Sequence, residues 1–274
     1  MRNRVNHITQ LVAVIGGALG MKWYYSAASV NQLRWILAPT TVLVEFITGR
    51  HFSFESHAGY MSSDHTFLIA ASCAGVNFLI TAFLMLALRQ LWKDRFKQMR
   101  TPWTFLPISA AVAYGTTVIA NTARISIALH MQGMHLKFWE LNPEQLHRLE
   151  GIIVYFGFLL MLFVLVERRR RELDSLSLLR ACAFPLAIYY AVTLGLPLAN
   201  GAYRQSGFWE HFAFVALGPI AIVLMIGVFD KFQFVVRCRT NQCSGTVLPL
   251  RRVYRNIGKR LAADLRWARS QNYS

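Results

Sequence analysis

Seven apolar runs, each long enough to cross a lipid bilayer as a helix, dominate this sequence of 274 residues. A membrane-spanning helix needs about 20 mostly apolar residues. Because 55% of the chain is hydrophobic, the composition is that of a membrane protein rather than a soluble one. The sequence therefore predicts an all-α fold, a polytopic transmembrane bundle of about seven to eight helices. The predicted spans are residues 8–25, 30–48, 67–88, 103–129, 149–166, 181–199 and 212–229.

Twenty of the 29 lysine and arginine residues lie in three segments between or after these runs, at residues 89–100, 167–180 and 230–274. Because positive residues mark the cytoplasmic side of membrane proteins, these segments are predicted to face the cytoplasm. The net charge of +16 would also suit a nucleic-acid-binding protein, but its basic residues would then form one face of a soluble domain. We therefore expect a lipid bilayer as a partner and no nucleic acid.

The chain is predicted to contain a transmembrane bundle, residues 1–229, and a basic cytoplasmic tail, residues 230–274. In the tail, apolar residues recur at every fourth position from Val253 to Leu265 among basic residues, which is typical of an amphipathic helix on an anionic membrane surface. The four cysteines form no CxxC pair and show no zinc-ligand spacing. The sequence therefore predicts no disulfide framework, no metal site and no cofactor.

Arg124 lies inside the fourth predicted span, where a charged side chain costs at least a few kcal/mol unless it reaches water or a partner. Asn121 precedes it by three residues, so both side chains lie on one helix face near the predicted outer boundary. Two structural explanations are possible. The arginine could extend to the lipid headgroups, or it could pair with Glu45 near the outer end of the second span.

Cysteine and histidine side chains are predicted at the same depth as Arg124. Cys73 lies about 10 Å inside the third predicted span, with Asn77 four residues later on the same helix face. His147 and Glu150 lie where the fifth span begins. A cation or histidine near a thiol favours the reactive thiolate, and a cation can stabilise an oxyanion. The three side chains Cys73, Arg124 and His147 therefore suffice for acyl transfer.

Short motifs in successive spans carry a resemblance to one family. C-A-G occurs at 73–75, A-N-x-x-R-I at 120–125 and H-x-x-x-G at 147–151. In this order and spacing the motifs resemble the exosortase/archaeosortase family, and LAPTTVLVEFITGR at 37–50 is similar to the exosortase K branch. The resemblance covers about residues 30–166.

The resemblance implies a transmembrane catalytic bundle that acts as a cysteine protease or transpeptidase in the inner membrane, with its active site near the outer face. Such enzymes cleave PEP-CTERM-like sorting signals at the C-terminal ends of exported proteins. By position, Cys73 matches the nucleophile of the family, Arg124 its invariant arginine and His147 its histidine. Whether an amine, a sugar-linked group or water accepts the cleaved chain stays open. The candidate supporting residues are Asn77, Asn121, Glu45 and His65.

Other readings of the same residues stay open from the sequence. His65 and His57 are alternatives to His147 as the partner of the thiol. A transporter or channel, in which arginine, histidine and glutamate side chains line a path, predicts that Cys73 is replaceable. A scaffold that docks partner helices through small residues predicts that Arg124 tolerates Gln or Lys. Cys182 is expected to be a packing residue.

Overall fold

The computed structural model describes residues 2–96, 101–133, 143–168, 175–205 and 207–239 of the chain. This part of the protein is mostly helical, which confirms the main prediction from the apolar runs. A π-helical segment, Ala191–Gly195, and a 3₁₀ turn, Ala202–Arg204, lie between the last long helices. The α-helices are α1 (Arg2–Ala27), α2 (Arg34–Thr48), α3 (Val76–Phe96), α4 (Phe105–Gly133), α5 (Pro143–Arg168), α6 (Ser175–Tyr190), α7 (Leu196–Ala199) and α8 (Phe208–Arg239).

Four helical stretches in these described ranges are long and apolar enough to cross a membrane. They coincide with the third, fifth, sixth and seventh predicted spans. Helix α4 is also long, and it carries Asn121, Arg124 and several threonines. The total of seven to eight spans stays a prediction. The four stretches are Ala71–Arg95, Gln145–Glu167, Cys182–Ala199 and Phe208–Val228.

Between α2 and α3 the chain forms a small antiparallel sheet that the sequence analysis does not predict. Its strands β1 (Phe52–Glu55), β2 (Gly59–Ser62) and β3 (Leu68–Ile69) pair in that order. The expectation of helix from residue 67 is therefore wrong, because the helix begins only at Val76. Strands of two to four residues are too short to show the alternating apolar pattern that identifies a strand.

Gly59 fixes how closely the third strand approaches the second. Its φ of 136° is a conformation that other residues rarely adopt. A Cβ at this position would lie only 2.3 Å from the Ile69 carbonyl oxygen. The glycine therefore allows β3 to pair closely with β2, directly before the chain turns into α3.

Helix α3 lies at the centre of the bundle and packs against α1, α4, α5 and α6. The contact surfaces bury Ile80 and Met85 of α3 and Phe156 and Leu159 of α5. In a bilayer, close packing and hydrogen bonds between helices, rather than transfer from water, hold such an assembly together. This packing brings the first turn of α3 next to α4 and α5.

The end of α3 also corrects the sequence analysis, which begins a loop at residue 89. Arg89 remains on the helix and pairs with Glu167 of α5, with Nε and Oε1 2.8 Å apart. Glu167 is almost fully buried, and a buried carboxylate requires such a partner. Both residues assigned to loops by their charge are thus paired helix residues.

The chain divides into two compact units, Met1–Val223 and Leu224–Ser274. In the second unit, helix α8 continues to Arg239, past the end predicted at residue 229. The remainder of the predicted tail, with its amphipathic stripe from Val253 to Leu265, lies outside the described residues.

Candidate functional site

Cys73 lies in a 3₁₀ turn, Ala71–Ala74, between strand β3 and helix α3. Its backbone N–H donates to the Ala70 carbonyl at 2.9 Å, and Cys73 is partly exposed. The prediction that Cys73 and Asn77 share one face of a long helix is wrong, because only Asn77 belongs to α3. Asn77 instead accepts a hydrogen bond from the Lys22 ammonium at 2.7 Å.

Gly75 ends this turn and explains why the helix does not extend back to the cysteine. Its φ of 68° is left-handed, a conformation that is costly for residues with a Cβ. A Cβ at Gly75 would also lie 3.4 Å from atoms of Thr117, Asn121 and Tyr155. The glycine therefore lets the turn that carries Cys73 rest directly on α4 and α5.

Asn121 ties that turn to α4. Its side-chain N–H donates to the carbonyl of Cys73, and its Oδ1 accepts from the Tyr155 hydroxyl at 2.8 Å. Asn121 is fully buried, as is Thr117 one helical turn earlier. The polar face that the sequence indicates on α4 thus points at the cysteine turn.

Arg124 lies one turn further along α4 and is held at both ends of its guanidinium group. Nη2 lies 2.7 Å from Nε2 of His147, and Nη1 donates to the Tyr155 hydroxyl at 3.4 Å. The centre of the guanidinium is also 5.5 Å from the centroid of the Tyr155 ring. Through Tyr155 and Asn121, Arg124 is connected to the backbone of Cys73 in one hydrogen-bonded network.

Gly151 of α5 gives the arginine room. A Cβ at this position would lie 3.0 Å from Nε of Arg124, tighter than almost all contacts of that kind. Within the described residues, Nε of Arg124 is buried without a hydrogen-bond partner. A residue with a Cβ at position 151 would therefore require the Arg124 side chain to shift by a few tenths of an ångström.

His147 connects Arg124 to Glu150. An arginine can only donate, so Nε2 of His147 accepts from Arg124 and the proton of the neutral ring is assigned to Nδ1. Nδ1 lies 3.2 Å from Oε2 of Glu150, one helical turn later. The Glu150 side chain is only 6% exposed, whereas that of His147 is 47% exposed. Both ring nitrogens of His147 are thus occupied in this arrangement.

Glu45 and His65, two of the predicted supporting residues, make their hydrogen bonds elsewhere. Glu45 accepts from the backbone N–H of Phe52 at 2.7 Å and so joins the end of α2 to β1. A structural pair between Glu45 and Arg124 is therefore not what the structure shows. His65 is exposed in the β2–β3 turn, with a left-handed φ of 55°.

Asp64, the neighbour of His65, holds that turn. Its carboxylate accepts from the Ser62 hydroxyl at 2.6 Å and from the Thr66 N–H at 3.2 Å. These hydrogen bonds, together with the nearby Arg50, lower the pKa of Asp64 from 3.8 to about 2. The polar groups of this turn thus serve the turn itself.

The sequence analysis predicts neither the contribution of Tyr155 nor the role of Glu150 as a partner of His147. Tyr155 follows His147 and Gly151 at intervals of four residues, so the three lie on one face of α5. That spacing is the signal in the sequence that indicates a shared face, but a tyrosine in an apolar helix is common and does not by itself indicate a functional site. Cys182 is buried in α6, as expected of a packing residue.

Three separate parts of the chain thus contribute to one polar cluster, which we call the Cys73 cluster: Cys73 before α3, Asn121 and Arg124 on α4, and His147 and Tyr155 on α5. Within the described ranges, no group of three or more His, Cys, Asp or Glu side chains is placed to hold a metal ion. In comparisons with known proteins, no family model, no curated protein and no solved structure matches this chain.

Proposed function

We propose that this protein is a membrane-embedded cysteine peptidase or transpeptidase of the exosortase/archaeosortase type. It spans a bacterial inner membrane seven or eight times, and the Cys73 cluster lies near the outer face. Its substrate is an exported protein with a C-terminal sorting signal. One observation carries the proposal: an arginine fixed by two partners within a helix bundle lies in the same hydrogen-bonded network as a partly exposed cysteine.

The reaction begins when the Cys73 sulfur forms an S–C bond to the scissile carbonyl carbon while the thiol proton passes to Nε2 of His147, which holds it until the amine leaves. The carbonyl oxygen becomes an oxyanion, which the guanidinium of Arg124 stabilises. When the C–N bond breaks, the leaving amine takes the proton that the thiol has lost. The acyl group remains on Cys73 as a thioester until an amine, a sugar-linked group or water attacks it and releases the thiolate.

His147 is placed to control this proton and the arginine together. Its Nε2 accepts from Arg124, so it can take a proton from the thiol only when the guanidinium leaves that nitrogen. Movement of the guanidinium toward a developing oxyanion would free Nε2 at the step where a base is useful. Glu150, bonded to Nδ1, holds the imidazole in the tautomer whose Nε2 can accept a proton.

The proposal is tested by co-expressing the protein with candidate sorting-signal proteins from the same genome. We expect a shortened substrate with the native protein and only the full-length substrate with Cys73→Ala. Mass spectrometry of the shortened protein identifies the cleaved bond and any group attached to it. Full-length substrate in both cultures, for every candidate, would contradict the proposal.

The proposed orientation makes a topology prediction. A cysteine introduced at Glu172, in a variant without native cysteines, should react with a membrane-impermeant maleimide only after the cells are permeabilised. A cysteine at His57, whose side chain is 81% exposed in the sheet region, is the matched control and should react in intact cells. The reverse pattern would place the basic segments outside.

Two of the three histidine candidates, His147 and His65, can be separated by the same substitution. His147→Asn removes the bridge between Arg124 and Glu150, and we expect cleavage to fall by about 10²-fold or more. His65→Asn should cleave normally, because asparagine tolerates the left-handed turn conformation at that position. Cleavage is measured as the fraction of substrate shortened at equal enzyme abundance. Loss of cleavage in His65→Asn alone would move the catalytic histidine to the sheet.

A further inference from the structure

The Tyr155 hydroxyl forms hydrogen bonds with both α4 residues of the Cys73 cluster, Asn121 and Arg124. Its hydroxyl donates to Oδ1 of Asn121 at 2.8 Å, and the other side of Asn121 donates to the Cys73 carbonyl. The same hydroxyl accepts from Nη1 of Arg124 at 3.4 Å. We propose that Tyr155 is a positioning residue that fixes Arg124 relative to Cys73.

The chemistry of a phenol explains why tyrosine suits this position. A hydroxyl donates one hydrogen bond and accepts others, so it can satisfy an amide oxygen and a guanidinium N–H at the same time. Asparagine would otherwise present its buried Oδ1 without a partner, and the guanidinium would be held only by His147. Phenylalanine has the same ring and can do neither.

The ring of Tyr155 is itself fixed by packing. It stacks on Phe78 of α3, with ring centroids 5.1 Å apart, and its hydroxyl lies against the space left open by Gly75. The backbone N–H of Phe78 donates to the Gly75 carbonyl. The residue on which the Tyr155 ring stacks is therefore bonded to the end of the turn that carries Cys73. The hydroxyl is thus placed by α3 and α5 and acts on α4, which is how a residue can position a group without touching a substrate.

This inference rests on the proposed function only in taking Cys73 as the reacting group, and it can be tested without a substrate. In the full-length protein with Cys182, Cys238 and Cys243 replaced by alanine, Cys73 is the single thiol. Its alkylation rates by iodoacetate, an anion, and by iodoacetamide, a neutral analogue, are compared at one pH. The ratio of the two rates reports the positive charge of Arg124 at the thiol.

We expect Tyr155→Phe to lower this ratio by about fivefold, because the guanidinium loses one of its two partners. Arg124→Gln, which removes the charge, gives the lower limit of the ratio. Tyr190→Phe is the matched control, because its hydroxyl donates to the Ala216 carbonyl away from the cluster. Tyr190→Phe should leave the ratio unchanged.

A second readout follows if a cleaved substrate is found. Cleavage at matched abundance should fall by about tenfold in Tyr155→Phe and remain normal in Tyr190→Phe. An unchanged alkylation ratio in Tyr155→Phe would overturn the positioning role, as would an equal loss in Tyr190→Phe or no loss in Arg124→Gln. Failure of the proposed function is a separate result, since it appears as undiminished cleavage by Cys73→Ala while the alkylation ratios still follow Arg124 and Tyr155.

Discussion

Cys73→Ala is expected to abolish cleavage of the sorting-signal substrate, with a loss on the order of 10⁴-fold or more. The methyl group cannot form the thioester, and Cys73 contributes the sulfur of the cluster that contains Arg124. Cys73→Ser should be almost as inactive. A hydroxyl ionises far less readily than a thiol, and Nε2 of His147 becomes free to take its proton only once the guanidinium has moved.

Cys182→Ala is the matched control for this experiment. Cys182 is a buried thiol in α6, so its replacement changes the packing of the bundle but not the cluster. We expect normal cleavage by Cys182→Ala, measured as the fraction of substrate shortened at equal membrane abundance. Normal cleavage by Cys73→Ala would exclude covalent catalysis by this residue and favour the transporter reading of the polar cluster.

Arg124→Lys is expected to insert and fold but to lose about 10²-fold or more in cleavage. The native guanidinium donates from two different nitrogens, to Nε2 of His147 and to the Tyr155 hydroxyl. A lysine ammonium is a single point charge on a flexible stem and cannot reproduce that planar, two-ended geometry. An arginine that served only to reach the lipid headgroups would be replaced by lysine with little loss.

Arg89→Lys provides the comparison for this substitution. Arg89 is also an arginine within the helix bundle with a defined partner, but its ion pair with Glu167 lies on another part of α3. Lysine keeps the charge of that pair, so cleavage should be close to normal. Nearly normal cleavage by Arg124→Lys would return Arg124 to a structural role, and an equal loss in both variants would indicate a general effect on folding.

The helices could be predicted from the sequence because their signal is local and long. A run of about 20 apolar residues has few alternatives to a helix, and α4 and α5 lie where the runs indicate. The turn that carries Cys73 could not be predicted in this way. Its shape depends on Gly59 meeting Ile69 and on Gly75 meeting Asn121, contacts between residues distant in sequence.

The candidate site shows the same division. Helical spacing was enough to place Asn121 and Arg124 on one face of α4, and the structure shows both in the cluster. The spacing does not reveal which neighbour each polar group meets: the sequence suggests Glu45 as a partner of Arg124, whereas the structure shows His147 and Tyr155. A polar group in an apolar helix requires a partner, but only the packing of the helices identifies that partner.

Cys73 lies before α3 rather than within it, and this position determines which bond of a membrane-anchored substrate it can reach. An extended peptide has unpaired N–H and C=O groups, which hydrocarbon does not tolerate, so the bond to be cut must lie above the point where the substrate's own helix begins. Cys73 lies in the 3₁₀ turn that ends just before the first residue of α3, and the proposed orientation gives it the equivalent height in the enzyme. In the proposed reaction Cys73 therefore acts at a fixed distance from the membrane surface. This distance selects substrates by the number of residues between the scissile bond and the substrate's membrane helix.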